Sequence, residues 1–218
     1  IAIYDPARHA PLAHEVGFDR GIIAHSYAAL CHVYQGRLDH ARDLAEHGIA
    51  LARRTDHQLT LVNALFEAAC VYYERRELDL VRARTAEEIE VSQRLGFPFW
   101  AATGQFFHGR ARLAAGDGEG GFAEMQAAMV DLARLGTGIG ASSVLLVLAE
   151  SQRQLGQGAE ALGTLALAQA QADALGQHYV DAEILRAHGE ILLDDDGAAA
   201  EGEALLQRAM ATAHAQGA

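Results

Sequence analysis

Two glycine-rich stretches are the first places where residue type and spacing could do chemistry. Gly116-Asp-Gly-Glu-Gly-Gly121 fits the pattern GxGxxG, and Gly136-Thr-Gly-Ile-Gly-Ala141 fits GxGxxA. A dinucleotide site needs a strand before the glycines and a helix after them, so that the pyrophosphate meets a helix N-terminus. Both stretches instead follow a helical pattern. The first also puts Asp117 and Glu119 where phosphates would sit. Nucleotide binding is therefore not expected. Eleven histidines raise metal binding next. A zinc site wants clustered ligands, such as two histidines four residues apart on a helix plus a further donor. His25/His32 and His40/His47 are seven apart, two helical turns, and read as solvated side chains.

The run Asp194-Asp195-Asp196 could hold a divalent cation if it lay within a helix facing a cavity, as in the aspartate-rich motif of all-helical prenyl-chain enzymes. Here it abuts Gly197, and it reads as a solvated turn that caps the next helix. There is no nucleophile elbow, no Walker lysine and no HExxH pattern, and Ser142-Ser143 has no base at a readable spacing. Catalysis has no support, and neither a metal nor a cofactor is expected. Cys31 and Cys70 each fall inside a helical pattern without CxxC spacing, and read as buried thiols of a reducing compartment.

The elements that would position any site are set by a repeat. The stretch Gly36–Asp56 reads as a turn, one amphipathic helix and a stop. The turn position recurs at Gly36, Arg76, Gly116 and Gly156, and the stop at Asp56, Gly96, Gly136 and Gly176. A constant step of about 40 residues marks a stacked helical array. Residues 1–19, with prolines at 6 and 11, read as an irregular lead-in, with a short helical turn near Pro11–Val16. Asp19 can cap the first long helix. The repeats then occupy about 20–56, 57–96, 97–136, 137–176 and 177–218, each a pair of helices of roughly 16 to 19 residues. The expected second helix of the fourth pair follows one that spans Gly138–Leu155, and the fifth pair is shifted by about one residue.

One slot of the first helix is always small: Ala29, Ala69, Gly109, Ala149, Gly189. One slot of the second is small or slim: Ala41, Val81, Gly121, Ala161. Two helices joined by a short turn approach closely only where neither projects a large side chain, so these slots mark the crossing. His108 and His188, beside Gly109 and Gly189, read as packing there. This arrangement resembles the tetratricopeptide repeat (TPR), although the usual TPR period, roughly 34 residues, is shorter than the step seen here. The longer unit, the junctions LARRTDH and QRLGFPFW and the lead-in YDPARH…GFDRG are similar to a narrower family. It comprises the C-terminal helical-repeat regions of large bacterial signalling proteins, which join a class III cyclase or a LuxR-type DNA-binding domain to an AAA-like ATPase. The resemblance implies an all-α superhelix of about five helix pairs, right-handed, and a fragment of a longer cytoplasmic protein. No cyclase or ATPase motif lies within these residues.

What remains is surface recognition. Lys+Arg 17 against Asp+Glu 29 gives a net charge of −12, which repels phosphate backbones and argues against direct nucleic-acid binding. No apolar run approaches the roughly 20 residues of a membrane span. In tetratricopeptide arrays the first helices line the concave face. Projected onto this chain, that face offers Asn63, Phe66, Tyr73, Phe106, Arg110 and Glu150. These residues are the candidate site for a protein or peptide partner or a small effector. Packing of Phe66 and Phe106 between helices, a self-association platform, and an all-helical enzyme are the competing expectations.

Overall fold

The computed structural model describes residues 4–136, 141–195 and 197–217. The lead-in holds α1 (Pro6–His9), a 3-10 turn (Ala10–Leu12) and α2 (Ala13–Val16). Ten longer helices follow: α3 (Arg20–Tyr34), α4 (Leu38–Ala52), α5 (Gln58–Glu74), α6 (Leu78–Leu95), α7 (Pro98–Ala114), α8 (Gly118–Leu135), α9 (Ala141–Gln154), α10 (Gly158–Leu175), α11 (Asp181–Leu193) and α12 (Ala199–Gln216). No strand occurs among the described residues. The fold is all-α, built of paired helices. Several helices are shorter than the repeat arithmetic predicts: α9 has 14 residues and α11 has 13, preceded by a 3-10 turn at His178–Val180. The expected start of α9 at Gly138 falls in residues 137–140, which lie outside the described residues.

The turns of the first four pairs share one hydrogen-bond scheme. Arg37 N donates to His32 O, Glu77 N to Tyr72 O, Asp117 N to Arg112 O and Gln157 N to Gln152 O, at 2.8 to 3.1 Å. This six-to-one bond closes a helix end when the residue before the donor is left-handed. Gly36, Gly116 and Gly156 supply that conformation with φ of 70°, 102° and 75°, and Arg76 adopts it at 62° without being glycine.

The chain divides into two compact units, Ile1–Leu135 and Gly136–Ala218. In the first, α3/α4, α5/α6 and α7/α8 pair, and each new first helix packs on the preceding pair: α5 on α3 and α4, α7 on α5 and α6. The lead-in is more helical than expected and is pinned to α3. Tyr4 Oη donates to Asp19 Oδ2 at 2.7 Å, and the Tyr4 ring occupies the space a Cβ on Gly21 would need. Asp19 caps α3 as expected, accepting from Gly21 N at 2.9 Å and Ile22 N at 3.2 Å. In the second unit, α9/α10 and α11/α12 pair, and α11 packs on both α9 and α10. Its core includes Leu146, Leu165, Ile184 and Ile191.

The small crossing slots are where the helices meet. A Cβ on Gly109 would lie 2.6 Å from the Gly121 carbonyl, and one on Gly121 would lie 2.5 Å from the Gly109 carbonyl. In the second unit Gly189 and Gly202 face each other in the same way, at 2.8 Å in both directions. That pair is spaced one residue wider along the chain than Gly109 and Gly121, which is the shift expected of the last repeat. Ala29, Ala41, Ala69, Val81, Ala149 and Ala161 are fully buried.

Candidate partner-binding face

Aromatic rings run along the first helices of the first unit. Trp100, the single tryptophan, sits at the start of α7. Its ring lies 6.4 Å from Phe18, 5.1 Å from Phe99 and 5.6 Å from Phe66 of α5, all edge-on. Phe66 continues to Phe107 at 5.9 Å, and Phe107 continues to Tyr73 at 5.9 Å. Edge-to-face stacking is the arrangement the ring quadrupoles favour. The Arg110 guanidinium lies 5.6 Å from the Tyr73 ring and that of Arg76 lies 5.7 Å away, both within cation–π range. Phe18, Phe66, Phe99 and Trp100 are each half-exposed. On α3, Tyr27 is 57% exposed and Tyr34 is 41% exposed. Water reaches this aromatic stripe at Phe18, Phe66, Phe99 and Trp100, while Phe107 and Tyr73 are buried.

The projected residues fall unevenly on it. Phe66 and Tyr73 belong to the stripe, although Tyr73 is mostly buried. Arg110 is 7% exposed and lies against Tyr73. Asn63 is buried, and its amide hydrogen-bonds the Glu67 carboxyl. Phe106 is 0% exposed. It occupies the same repeat slot as Phe66, but its ring is core and presents no surface to a partner. Glu150 belongs to the second unit, where Arg186 reaches its carboxylate at 2.5 Å. Arg186 also binds Glu183 and Glu190, both at 2.7 Å. Projection from the repeat missed Trp100, Phe107, Phe18 and Phe99, because it follows slots rather than the rings that meet between adjacent helices.

Two carboxyls are buried on the helices of the same unit. Glu67 on α5 is 7% exposed, and Glu88 on α6 is fully buried. Glu88 Oε1 accepts from Thr103 Oγ1 at 3.1 Å, and Oε2 is buried without a hydrogen-bond partner. Among the described residues neither carboxyl has an ion-pair partner. Burial pushes the Glu67 carboxyl up to about 7, opposed by the Asn63 hydrogen bond. Burial also holds Glu88 well above the usual carboxylate range, with the Thr103 bond opposing and the Glu67 charge adding. Burial and both carboxylates raise the half-buried Cys70 thiol. The sequence carried a signal for Glu88. Its slot reads Gly48, Glu88, Ala128, Ala168, so a carboxyl stands where the other repeats are small. Gly104 provides the room: a Cβ there would lie 3.1 Å from the Glu88 carboxyl carbon.

Two solved structures share this architecture. The TPR-like repeats of a kinesin-light-chain-type protein from Podosopora anserina are 15% identical, cover 88% of this chain and 94% of their own, and superpose with a TM-score of 0.53. A point variant of the same protein gives 16% identity, 90% and 97% coverage, and the same TM-score. No family model matches the sequence. No curated protein matches it either. The fold is TPR-like.

Within this TPR-like frame the other chemistry-bearing residues have structural roles. The turn at Gly116–Gly121 is filled by its own carboxylate. Asp117 binds Arg112 at 2.5 Å and accepts from Gly120 N at 3.1 Å, and the Arg112 guanidinium draws its carboxyl below the usual range. Asp194 binds Arg153 at 2.7 Å, and Asp195 accepts from Gly197 N at 3.0 Å. The residue at the start of α12 is Ala198, without a side-chain cap, so the expected aspartate cap is corrected; Asp196 lies outside the described residues. Among the described residues no three metal-binding side chains cluster. The histidines are less solvated than expected. His25 is buried and meets His47 at 5.1 Å, while His32 meets His40 at 4.7 Å across α3 and α4. His108 binds Glu124 at 2.9 Å beside the crossing. Cys31 is exposed rather than buried. No described helix is long and apolar enough to cross a membrane.

Proposed function

We propose that this chain is a non-catalytic interaction module that holds an extended segment of a partner protein against the α5/α7 face of its first unit. The observation that carries this reading is the run of touching rings Phe18–Trp100–Phe66–Phe107–Tyr73, whose first three members are part-exposed and whose last two, Phe107 and Tyr73, are buried behind them. Aromatic anchors dominate binding energy at protein interfaces because they remove large apolar areas from water at small entropic cost. The resemblance to repeat regions of bacterial cyclase and LuxR-type ATPase regulators supports placing the module in a larger signalling protein, where occupancy would be relayed to an output domain.

The test begins with a random peptide display library selected against the whole chain. Trp100 sits in the stripe, so its emission reports binding. Selected peptides should shift that emission, and Phe66→Ala should weaken them at least ten-fold without loss of helical circular dichroism. Binders indifferent to both Phe66→Ala and Trp100→Ala would refute the assignment. Concentration-dependent light scattering without any peptide binding would favour self-association.

A further inference from the structure

We infer that the segment bound on this face presents a basic side chain, arginine or lysine, which is neutralised by Glu67, with the charge of the fully buried Glu88 adding to it; this rests on the binding reading above. The chain as a whole carries −12, which attracts a basic partner before contact. The face adds a local reason. Buried carboxyls are ordinarily hydrogen-bonded or ion-paired. Glu88 is fully buried with Oε2 unpartnered, at a slot where the other repeats need no charge. Glu67, one helix away, keeps 7% exposure, and its charge, after burial, raises the Tyr27 phenol on α3. Tyr27 is exposed and Phe66 part-exposed in the same unit, and aromatic faces accept guanidinium and ammonium groups. An acidic segment would meet these carboxyls without compensation.

Proton balance follows. Unliganded, the pair holds protons near neutral pH, because no cation offsets its desolvation. A basic side chain arriving beside Glu67 favours the carboxylate, so the proton on that carboxyl leaves to solvent and the cation keeps its own. Binding of a basic segment at pH 7 therefore releases up to one proton, and its affinity rises with pH through that region.

The probes are three capped heptapeptides, each with three leucines, two alanines and two central arginines, glutamines or glutamates. Calorimetry of the full chain at pH 7, in two buffers of different ionisation enthalpy, counts the protons. The arginine peptide should bind at least ten-fold tighter than the glutamine peptide, with proton release, and the glutamate peptide weakest. Glu67→Gln should erase the difference between arginine and glutamine peptides; Glu88→Gln is the second variant should the first misfold. Equal binding of all three peptides, lost in Phe66→Ala, would overturn the basic preference and leave the binding face standing. Tighter binding of the glutamate peptide, or an arginine preference that survives both glutamine variants, would also overturn it. No binding of any peptide to the Phe66 face would remove both readings.

Discussion

Single side chains divide into those that hold the fold and those left for a partner. Phe106 is fully buried, so Phe106→Ala should cost about 3–5 kcal/mol, read as a fall in the denaturation midpoint. Phe66 in the same slot is half-exposed, and its loss should cost markedly less. The buried carboxyls give a second residue-level expectation. The Glu67 carboxyl is raised in the folded state from 4.5 to about 7. Its contribution is therefore complete below pH 4.5 and is lost as pH rises through 7, because the folded state binds the extra proton. A shift of this size corresponds to about 3 kcal/mol, with Glu88 acting in the same direction and the two titrating as a coupled pair. Unfolding followed from pH 5 to pH 8.5 should show stability falling with pH, and Glu67→Gln should flatten that slope. A slope identical in the variant would show that Glu67 is not the titrating group. At the acid end, burial, His40 and Arg37 lower the His32 pKa, so stability present above pH 6.5 is lost as pH falls through the folded value.

At the scale of elements, the pairs are set by two devices: a left-handed turn between the helices of the first four pairs and a crossing of small residues. Gly109 and Gly121 leave no space for a methyl group, since it would meet a carbonyl at 2.5 to 2.6 Å. Gly109→Ala should therefore lower stability by about 1–3 kcal/mol, and Ala69→Leu by a similar amount. Gly163, whose Cβ would meet nothing within 4 Å, is the control: Gly163→Ala should be neutral or stabilising. Equal midpoints for Gly109→Ala and Gly163→Ala would contradict the crossing. These devices were legible in the sequence because they recur: a glycine at 36, 116 and 156 and a small residue at 29, 69, 109, 149 and 189 need no knowledge of packing. The aromatic stripe was only half legible. Phe66 and Tyr73 were found by slot, but Trp100 and Phe107 join them through ring contacts between helices, which periodicity does not encode. Glu88 announced itself as a charge in a small slot, yet only the geometry shows that Gly104 makes room for it.

For the whole molecule, the repeat step predicts one continuous array, whereas the contacts gather into Ile1–Leu135 and Gly136–Ala218. Gly136 takes the same left-handed conformation as Gly96 and Gly176, so the local signal at the division matches that at an ordinary junction. The aromatic stripe lies wholly in the first unit, and so does the pair of buried carboxyls. The central claim is that a partner segment lies on the first helices of that unit. Its most direct measurement is photo-crosslinking: a display-selected peptide carrying a benzophenone group is irradiated on the full chain, and the adducts are mapped by mass spectrometry. Adducts are expected on α5 and α7, concentrated around the part-exposed Phe66 and Trp100, and lost in Phe66→Ala. Adducts confined to the second helices α4, α6 and α8, undiminished in that variant, would contradict it.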